Sequence, residues 1–381
     1  MPYIHRTIEP VLKKYLRLFP VVGITGPRQS GKSTMIRHLL SKSYRYVNFD
    51  DFDMVQSFYA DPKKFMKLYG DRVIFDEAQR VPELYVAIKF AVDNDRQKYG
   101  KFVLTGSSQF PFLNKITESL AGRIGLLSLL PLQFTEIPKN LRFESIYRGG
   151  YPEQVIRGYN NSRAWNSSYI ETYLSRDVRD LSNIGNLREF RRCLQLLAAR
   201  TSQVLIMSGI ATDIGVSVNT VKKWISILEA SYILFLLPPF YKNLGKRIVK
   251  SPKVYFYDTG LVSFLTGIST KELFESGPMY GALFENYVVS EIMKREMHKK
   301  TDADLYYYRT SNGVEVDLII DRKTSTEYVE IKSSESYRAE YLQSIRKLKG
   351  DKDQAYLIYQ GKDIPFDEKI SILNYEGYLK S

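Results

Sequence analysis

Gly26-Pro27-Arg28-Gln29-Ser30-Gly31-Lys32-Ser33 matches the pattern G-x-x-x-x-G-K-[ST] at every fixed position. Apolar residues 19–25 (FPVVGIT) precede this stretch, and residues 34–40 after it have helical composition, so the chain order is strand, loop, helix. The glycines allow the backbone to bend until its N–H groups and the helix N-terminus point at phosphate oxygens. The stretch therefore predicts a loop that binds the phosphates of a nucleoside triphosphate.

The pattern assigns roles to the residues of this loop. Lys32 is expected to reach the outer phosphates, and Ser33 is expected to ligate Mg²⁺. The whole predicted nucleotide-binding set is Gly26, Pro27, Arg28, Gln29, Ser30, Gly31, Lys32, Ser33 and Thr34. Ahead of the first strand, His5 and Arg6 are interpreted mainly as exposed polar residues, with contact to the nucleotide as the alternative.

Residues 72–77 (RVIFDE) place two acids directly after an apolar segment. This order is typical of a second buried strand of a parallel sheet, with the acids at its carboxyl end. Asp76 is expected to hold Mg²⁺ through water, and Glu77 is expected to orient the attacking water. The alternative is an ordinary strand that ends in solvated acids.

Residues 101–104 (KFVL) predict a third core strand, and its polar tip places Ser107 near the expected γ-phosphate as a sensor. Arg123 precedes the apolar run 124–132, so strands and helices alternate through this half. A guanidinium can neutralise the charge that develops in phosphoryl transfer, in its own subunit or in a neighbouring one. Arg123 is therefore either catalytic or the partner of an acid, and both interpretations stand.

Four ordered segments, GPRQSGKS, VIFDEAQ, VLTGSSQF and SLAGRIGLLSLLPLQFTE, together resemble the AAA-superfamily predicted ATPases of bacteria and archaea. The resemblance implies a P-loop NTPase sheet, ATP and Mg²⁺ as cofactors, and a conformational cycle driven by hydrolysis. It places Asp76 and Glu77 in the roles given above. It also implies a separate C-terminal domain of uncharacterised function.

Glycines and a proline at residues 149–152 interrupt both periodicities and indicate a boundary. We expect an ATPase domain at 1–147, a helical lid and winged-helix region at 148–240, and a C-terminal domain at 241–381. Residues 210–225 predict a helix-turn-helix with Ser217 as N-cap, and residues 232–240 predict the strands of a wing. This region either contacts the DNA backbone or serves as a lid or protein-docking module.

From residue 281 the predicted order of elements is α-β-β-β-α-β, which resembles a restriction-endonuclease-like α/β core. Glu330 and Lys332 lie on one face of a strand, and Asp317 lies on its neighbour. These groups, with Glu285 from the preceding helix, could bind a second Mg²⁺ or Mn²⁺ and activate water. Val316 stands where that family has proline, and the alternative is a plain ion pair.

Composition limits the choice of partners. The 381 residues carry a formal charge of +13, which favours nucleic acid first and an acidic membrane surface second, with solubility alone as the plain explanation. Cys193 is the only cysteine, and only three histidines occur, so a disulfide or a His-built metal centre is not expected. Without a long apolar run the chain is expected to be cytoplasmic and not membrane-bound.

Three hypotheses follow. The first is an Mg-dependent ATPase coupled to DNA binding and metal-dependent cleavage by the C-terminal domain. The second is an ATP-driven switch that binds a protein partner through a catalytically inactive nuclease-like domain. The third is a DNA-binding regulator that uses the helix-turn-helix. The biological substrate and the oligomeric state, including a homo-oligomer, stay open.

Overall fold

The computed structural model describes residues 3–106, 119–173, 186–240, 250–350, 352–365 and 369–380. The ATPase part contains a five-stranded parallel sheet in the order β2-β3-β4-β1-β5. Its strands are β1 (Val21–Thr25), β2 (Arg45–Asn48), β3 (Val73–Asp76), β4 (Phe102–Thr105) and β5 (Ile124–Ser128). Its helices are α1 (Glu9–Leu18), α2 (Lys32–Leu40), α3 (Phe52–Ala60), α4 (Pro62–Leu68) and α5 (Glu83–Asp93).

The central strands are apolar because both faces of this sheet are covered. Every residue of β1, β3 and β4 is buried. Phe75 and Phe102 point into an aromatic core on one face, whereas Ile24, Ile74 and Val103 pack into an aliphatic core on the other. Buried parallel strands of this kind bring their carboxyl ends to one edge, where open α/β sheets bind ligands.

The middle region is mostly helical, as the sequence predicts. Its helices are α6 (Arg142–Arg148), α7 (Pro152–Ile156), α8 (Ser162–Thr172), α9 (Leu187–Ala199), α10 (Met207–Ile214) and α11 (Val218–Ala230). Gly215 ends α10 with a φ of 85°, and the Ser217 hydroxyl accepts the Thr220 N–H at 3.1 Å as the N-cap of α11. The two predicted helices and the turn between them are therefore present, and their identity as a DNA-binding helix-turn-helix stays a prediction.

The wing strands lie further apart in sequence than expected. β6 (Leu234–Leu237) pairs antiparallel with β7 (Lys253–Phe256), which is followed by α12 (Thr259–Thr266) packed on α6 and α9. A domain boundary after residue 240 would therefore divide one sheet. Residues 253–266 belong with the middle region because their main contacts lie there.

The glycines of the expected boundary form a packed joint instead of a linker. A Cβ on Gly149 would lie 2.1 Å from Asp258 Oδ1, and a Cβ on Gly260 would lie 2.3 Å from the Arg148 carbonyl oxygen. Asp258 Oδ2 accepts the N–H of Gly150 at 2.7 Å. The two turn motifs therefore hold α6 and α12 together.

The C-terminal domain is a mixed five-stranded sheet in the order β12-β11-β10-β9-β8. Its strands are β8 (Asp304–Arg309), β9 (Glu315–Asp321), β10 (Thr326–Lys332), β11 (Gln354–Tyr359) and β12 (Ser371–Asn374). Its helices, counting a short one that precedes it, are α13 (Lys271–Glu275), α14 (Tyr280–Lys299), α15 (Gln343–Leu348) and α16 (Tyr375–Lys380). The expected element order is confirmed, and β12 and α16 extend it. Within the described ranges, no helix combines the length and apolarity needed to cross a bilayer.

Candidate active site

The phosphate-binding loop joins β1 to α2, at the carboxyl edge of the parallel sheet. Gly26 has a φ of 140°, and a Cβ at this position would lie 2.1 Å from the Leu129 carbonyl oxygen. Gly31 has a φ of 93° and is the N-cap of α2. Both glycines are therefore required by the backbone, since other residues strongly disfavour these angles or this approach.

Lys32 begins α2 and is buried, and its ammonium donates to the carbonyl oxygens of Gly26 and Pro27 at 3.0 and 2.8 Å. Ser33 and Thr34 complete the first turn, whose backbone N–H groups have no partners within the helix. The Ser30 hydroxyl is buried and, among the described residues, has no hydrogen-bond partner. This is the N-terminal cradle that an anionic phosphate chain requires.

The loop opens into a cleft of about 520 Å³, a size suited to a nucleotide. The lining residues are Arg28, Gln29, Gly31, Lys32, Ser33, Thr34, Asp50, Glu77, Tyr169 and Thr172. Tyr169 and Thr172 come from α8, so the middle region closes one side of the cleft. The residues present therefore fit Mg-ATP, and Ser33 and Asp76 stay the groups predicted to hold Mg²⁺.

Asp76 ends β3 and is bound by hydroxyl groups on both sides. Thr105 Oγ1 donates to Asp76 Oδ1 at 2.5 Å, and the Tyr46 hydroxyl donates to Asp76 Oδ2. Burial and this hydrogen bond raise the pKa of Tyr46 to about 12, so the phenol stays a donor. Sequence reasoning missed Tyr46, which lies on β2 beside β3 and orients the carboxylate.

Glu77 follows in a left-handed conformation with a φ of 54°, which is strained for a residue with a side chain. The Gln79 amide donates to Glu77 Oε2 at 2.5 Å. Strain of this kind collects at functional sites because the surrounding structure imposes it. Glu77 is also one of the residues that line the cleft.

Two further residues, Ser107 and Arg123, were predicted to act at the ATPase site. Ser107 lies outside the described residues. Arg123 lies beside Val21, at the amino edge of the sheet, and binds Asp93 with Nε at 2.8 Å and Nη2 at 3.0 Å. A role for Arg123 at the nucleotide of its own chain is wrong, because the length of β1 separates it from the loop. Action on a neighbouring subunit stays untested.

Arg6 is buried beneath the loop, which corrects the expectation of an exposed residue. Its Nη1 donates to the Ser30 carbonyl at 2.8 Å, its Nη2 donates to the Leu130 carbonyl at 2.7 Å, and its Nε lies 2.9 Å from Glu136 Oε2. Burial alone would raise the pKa of Glu136, but Arg6 and the other nearby groups lower it on balance. The guanidinium therefore ties the loop to residues 130–136.

Helix α14 contacts the same segment from the C-terminal domain. His298 Nε2 accepts the N–H of Leu130 at 3.1 Å, and burial lowers the pKa of His298 to about 3, so the ring is neutral. Glu291 accepts the N–H of Phe134 at 2.5 Å and pairs with Lys294 at 2.7 Å. One end of α14 is therefore bonded to the segment that holds the loop.

The other end of α14 enters the predicted nuclease-like cluster. Lys332 Nζ lies 2.6 Å from Glu330 and 3.7 Å from Asp317, and Asp317 accepts the N–H of Ile331 at 2.8 Å. Glu285 projects from α14 toward the same group. The four predicted residues are therefore brought together.

Lys253, which sequence reasoning missed, occupies the middle of this cluster. Its side chain is 2% exposed, and its ammonium lies 2.7 Å from Glu315, 3.1 Å from Glu285 and 3.9 Å from Asp317. Burial alone would lower the pKa of Lys253, but the carboxylates hold it well above its usual value. A fixed cation therefore stands among the acids.

This arrangement corrects the expectation of a second Mg²⁺ or Mn²⁺. Among the residues that the structure describes, no group of three or more His, Cys, Asp or Glu is arranged to hold a metal ion. Burial, with help from Asp317, raises the pKa of Glu285 to about 7 and that of Glu330 to about 8.

Replacing Glu77 tests the hydrolytic role of the cleft. We expect Glu77→Gln to bind Mg-ATP normally but to turn it over about 100-fold more slowly or worse, because the carboxylate that orients water is lost. Lys32→Ala should lose nucleotide binding itself. Steady-state turnover and calorimetric binding of a non-hydrolysable analogue separate the two effects. Glu83→Gln is the control, since Glu83 is exposed outside the cleft; wild-type turnover in Glu77→Gln would contradict the role.

The cluster predicts a pH dependence of stability. Glu285 and Glu330 hold protons in the folded chain that they lose when unfolded, so the unfolding free energy falls as pH rises from about 4.5 through about 8. Glu330→Gln should reduce the fall in Tm between pH 6 and 9 by about two thirds, since Glu285 contributes only up to about pH 7 and Glu330 up to about pH 8. The exposed Glu340→Gln variant should keep the wild-type slope, and an unchanged slope in Glu330→Gln would refute the assignment.

Three ranges of the chain match known families. Residues 18–138 match a family described as AAA domain. Residues 139–272 and 280–378 match two families described as domains of unknown function. The first range contains every residue that lines the nucleotide cleft except Tyr169 and Thr172 of α8. The second range contains both the middle region and β7.

Similar proteins extend this relation over most of the chain. The uncharacterised protein Rv2008c of Mycobacterium tuberculosis is 32% identical over 312 residues, covering 81% of this chain and 69% of its own. The uncharacterised protein MJ1544 of Methanocaldococcus jannaschii is 24% identical, covering 83% and 75%. A Walker-type ATPase of Pyrococcus abyssi, with 16% identity and a TM-score of 0.46, covers 69% of this chain and 96% of its own. The identity with Rv2008c places the chain in one family with that protein, and residues 18–138 are its AAA domain.

Proposed function

We propose that this protein hydrolyses Mg-ATP and uses the cycle to switch the conformation of its C-terminal domain, which is a docking platform and not a nuclease. The AAA-type loop, Asp76 and Glu77 support the first half of the proposal. The buried contacts that join the phosphate loop to α14 support the second half, which is the conformational switch of the C-terminal domain. The position of Lys253 among the acids supports the proposal that the C-terminal domain is not a nuclease.

The chain's own groups perform most of the chemistry. Lys32 leaves the carbonyls of Gly26 and Pro27 for the outer phosphates, and the N-terminal amides of α2 hold the rest of the triphosphate. Glu77 accepts a hydrogen bond from the attacking water and orients it. Tyr46 and Thr105 hold Asp76 in one orientation. When bound, Mg²⁺ neutralises the charge that develops on the phosphate oxygens.

Transmission follows from contacts on both sides of one segment. Arg6 joins Ser30 of the loop to Leu130, and His298 of α14 accepts the N–H of that same Leu130. A displacement of the loop therefore changes hydrogen bonds that position α14. At its other end, Glu285 pairs with Lys253 and accepts a hydrogen bond from Tyr255 at 2.6 Å. The state of the nucleotide thus reaches the C-terminal sheet.

The C-terminal domain resembles a restriction-endonuclease-like core in element order, but its cluster favours structure over catalysis. The Lys253 ammonium neutralises the carboxylates that would otherwise bind a divalent cation. The same ion pairs stabilise the fold, because removing one partner of a buried ion pair costs about 3–5 kcal/mol. The cluster therefore fastens β7 of the middle region to β9 and α14.

A hydrogen-exchange experiment tests the coupling. Saturating Mg-ATP analogue should change amide exchange in residues 290–299 of α14, which do not line the cleft, because the loop is bonded to that helix end through Arg6. Arg6→Lys keeps a cation beside Glu136 but cannot donate to both carbonyls, so this change should largely disappear while analogue remains bound. Arg17→Lys, an exposed position on α1, is the control. No change at α14 in the wild-type protein would rule the coupling out.

A second candidate function, nucleic-acid binding, is favoured by the outer face of α11. Val221, Trp224 and Leu228 are buried, whereas Asn219, Lys222 and Lys223 are exposed, as a recognition helix requires. The formal charge of +13 adds a general attraction to polyanions. This function uses a different surface from the proposed docking platform.

DNA assays separate the two candidates. If α11 contacts the backbone, the double variant Lys222→Ala/Lys223→Ala should weaken binding and reduce the salt slope by about 2, whereas the exposed pair Lys63→Ala/Lys64→Ala should not. Plasmid DNA should stay intact with Mg²⁺ or Mn²⁺, because Lys253 occupies the cluster. Cleavage that is lost in Glu330→Gln while ATP turnover persists would restore the nuclease interpretation.

A further inference from the structure

A second cavity, of about 230 Å³, lies among α6, α8, α9 and α12 of the middle region. Its polar lining includes Arg148, Arg163, Arg191, Ser162, Asn166 and Ser263, together with Gln195 and Ser269. Among the described residues, no acidic side chain lines it. A cavity with several cations and no acid is electrostatically suited to an anion.

The partners of these side chains show which of them are available. Arg148 lies 3.2 Å from Glu144 and donates to the Tyr159 carbonyl at 3.3 Å, so it is already engaged. Arg163 and Arg191 are exposed at the rim and, within the described part of the chain, have no ion-pair partner. The Ser263 hydroxyl, in a residue only 3% exposed, is buried without a hydrogen-bond partner among the described residues.

We propose that this cavity binds a phosphate group, as free phosphate or as a small phosphomonoester. Guanidinium groups recognise phosphate with paired hydrogen bonds, and a buried hydroxyl can donate a further one. Typical ligand pockets of about 300–1,000 Å³ hold drug-sized molecules. The smaller volume here holds a phosphate with little attached to it, and Arg163 and Arg191 enclose it from the rim.

Helix α8 connects this cavity with the nucleotide cleft. Ser162, Arg163 and Asn166 line the cavity from its first turns, whereas Tyr169 and Thr172 line the cleft from its last. Eleven residues of helix span about 16 Å, so a shift at one end moves the other. Phosphate bound in the cavity therefore alters the affinity of the cleft for ATP, a consequence that rests on the proposed ATPase function.

Calorimetry with inorganic phosphate tests the site on the full chain, with the cleft first saturated by Mg²⁺ and a non-hydrolysable ATP analogue. We expect one saturable site that Arg163→Ala/Arg191→Ala weakens about 10-fold or more, through loss of two charge-assisted contacts. Arg188→Ala/Arg192→Ala, on exposed positions of the same helix α9, should bind as the wild type does. Equal weakening in both double variants, non-saturable binding, or unchanged binding in the first variant would overturn the site.

ATP turnover measures the coupling between the cavity and the nucleotide cleft separately from phosphate binding. In Arg163→Ala/Arg191→Ala, phosphate should act only as a product inhibitor in the cleft. In the wild-type protein and in Arg188→Ala/Arg192→Ala, phosphate should shift the ATP concentration for half-maximal turnover by more than this product inhibition. Equal phosphate effects in all three proteins would overturn the coupling. Absence of ATP turnover in the wild-type protein would refute the proposed function, while the binding measurement would still decide the site.

Discussion

The buried guanidinium of Arg6 is the contact on which the rest of this structure depends. It binds the carbonyl of Ser30 in the phosphate loop, the carbonyl of Leu130 after β5, and the carboxylate of Glu136. A buried charge is tolerated only when it is paired and fully hydrogen-bonded, so these three elements cannot separate independently. The loop is thereby fastened to residues 130–136, which in turn contact α14.

Helix α14 extends the same constraint into the C-terminal domain. Its buried and half-buried polar residues bond outward to three neighbours: His298 and Glu291 to residues 130–134, Asn286 to the backbone of Phe256 at 2.8 Å, and Glu285 to Lys253. Such networks are costly when partly broken, which favours two discrete arrangements over gradual deformation. An ATPase built on this frame is therefore suited to switching.

Local patterns in the sequence predicted most of the fold and the centre of the nucleotide site. Apolar runs located β1, β3 and β4, the glycine spacing located the loop, and Ser217 with Gly215 marked the helix-turn-helix. The alternation of side chains along a strand also predicted that Glu330, Lys332 and Asp317 lie close together. What could not be predicted depends on distant partners: Tyr46 beside Asp76, Arg6 beneath the loop, and Lys253 among the acids. Arg123 was misplaced within its own chain because a residue before a parallel strand lies at the edge opposite the phosphates.

The central claim, that bound nucleotide changes the position of the C-terminal domain, is tested most directly by a distance measurement. Spin labels on cysteines at the exposed positions Gln97 and Lys347 report on the ATPase part and the C-terminal domain, and buried Cys193 stays unlabelled. We predict different distance distributions with Mg-ADP and with a non-hydrolysable Mg-ATP analogue. One distribution, unchanged among the nucleotide-free, ADP and analogue states, would contradict it.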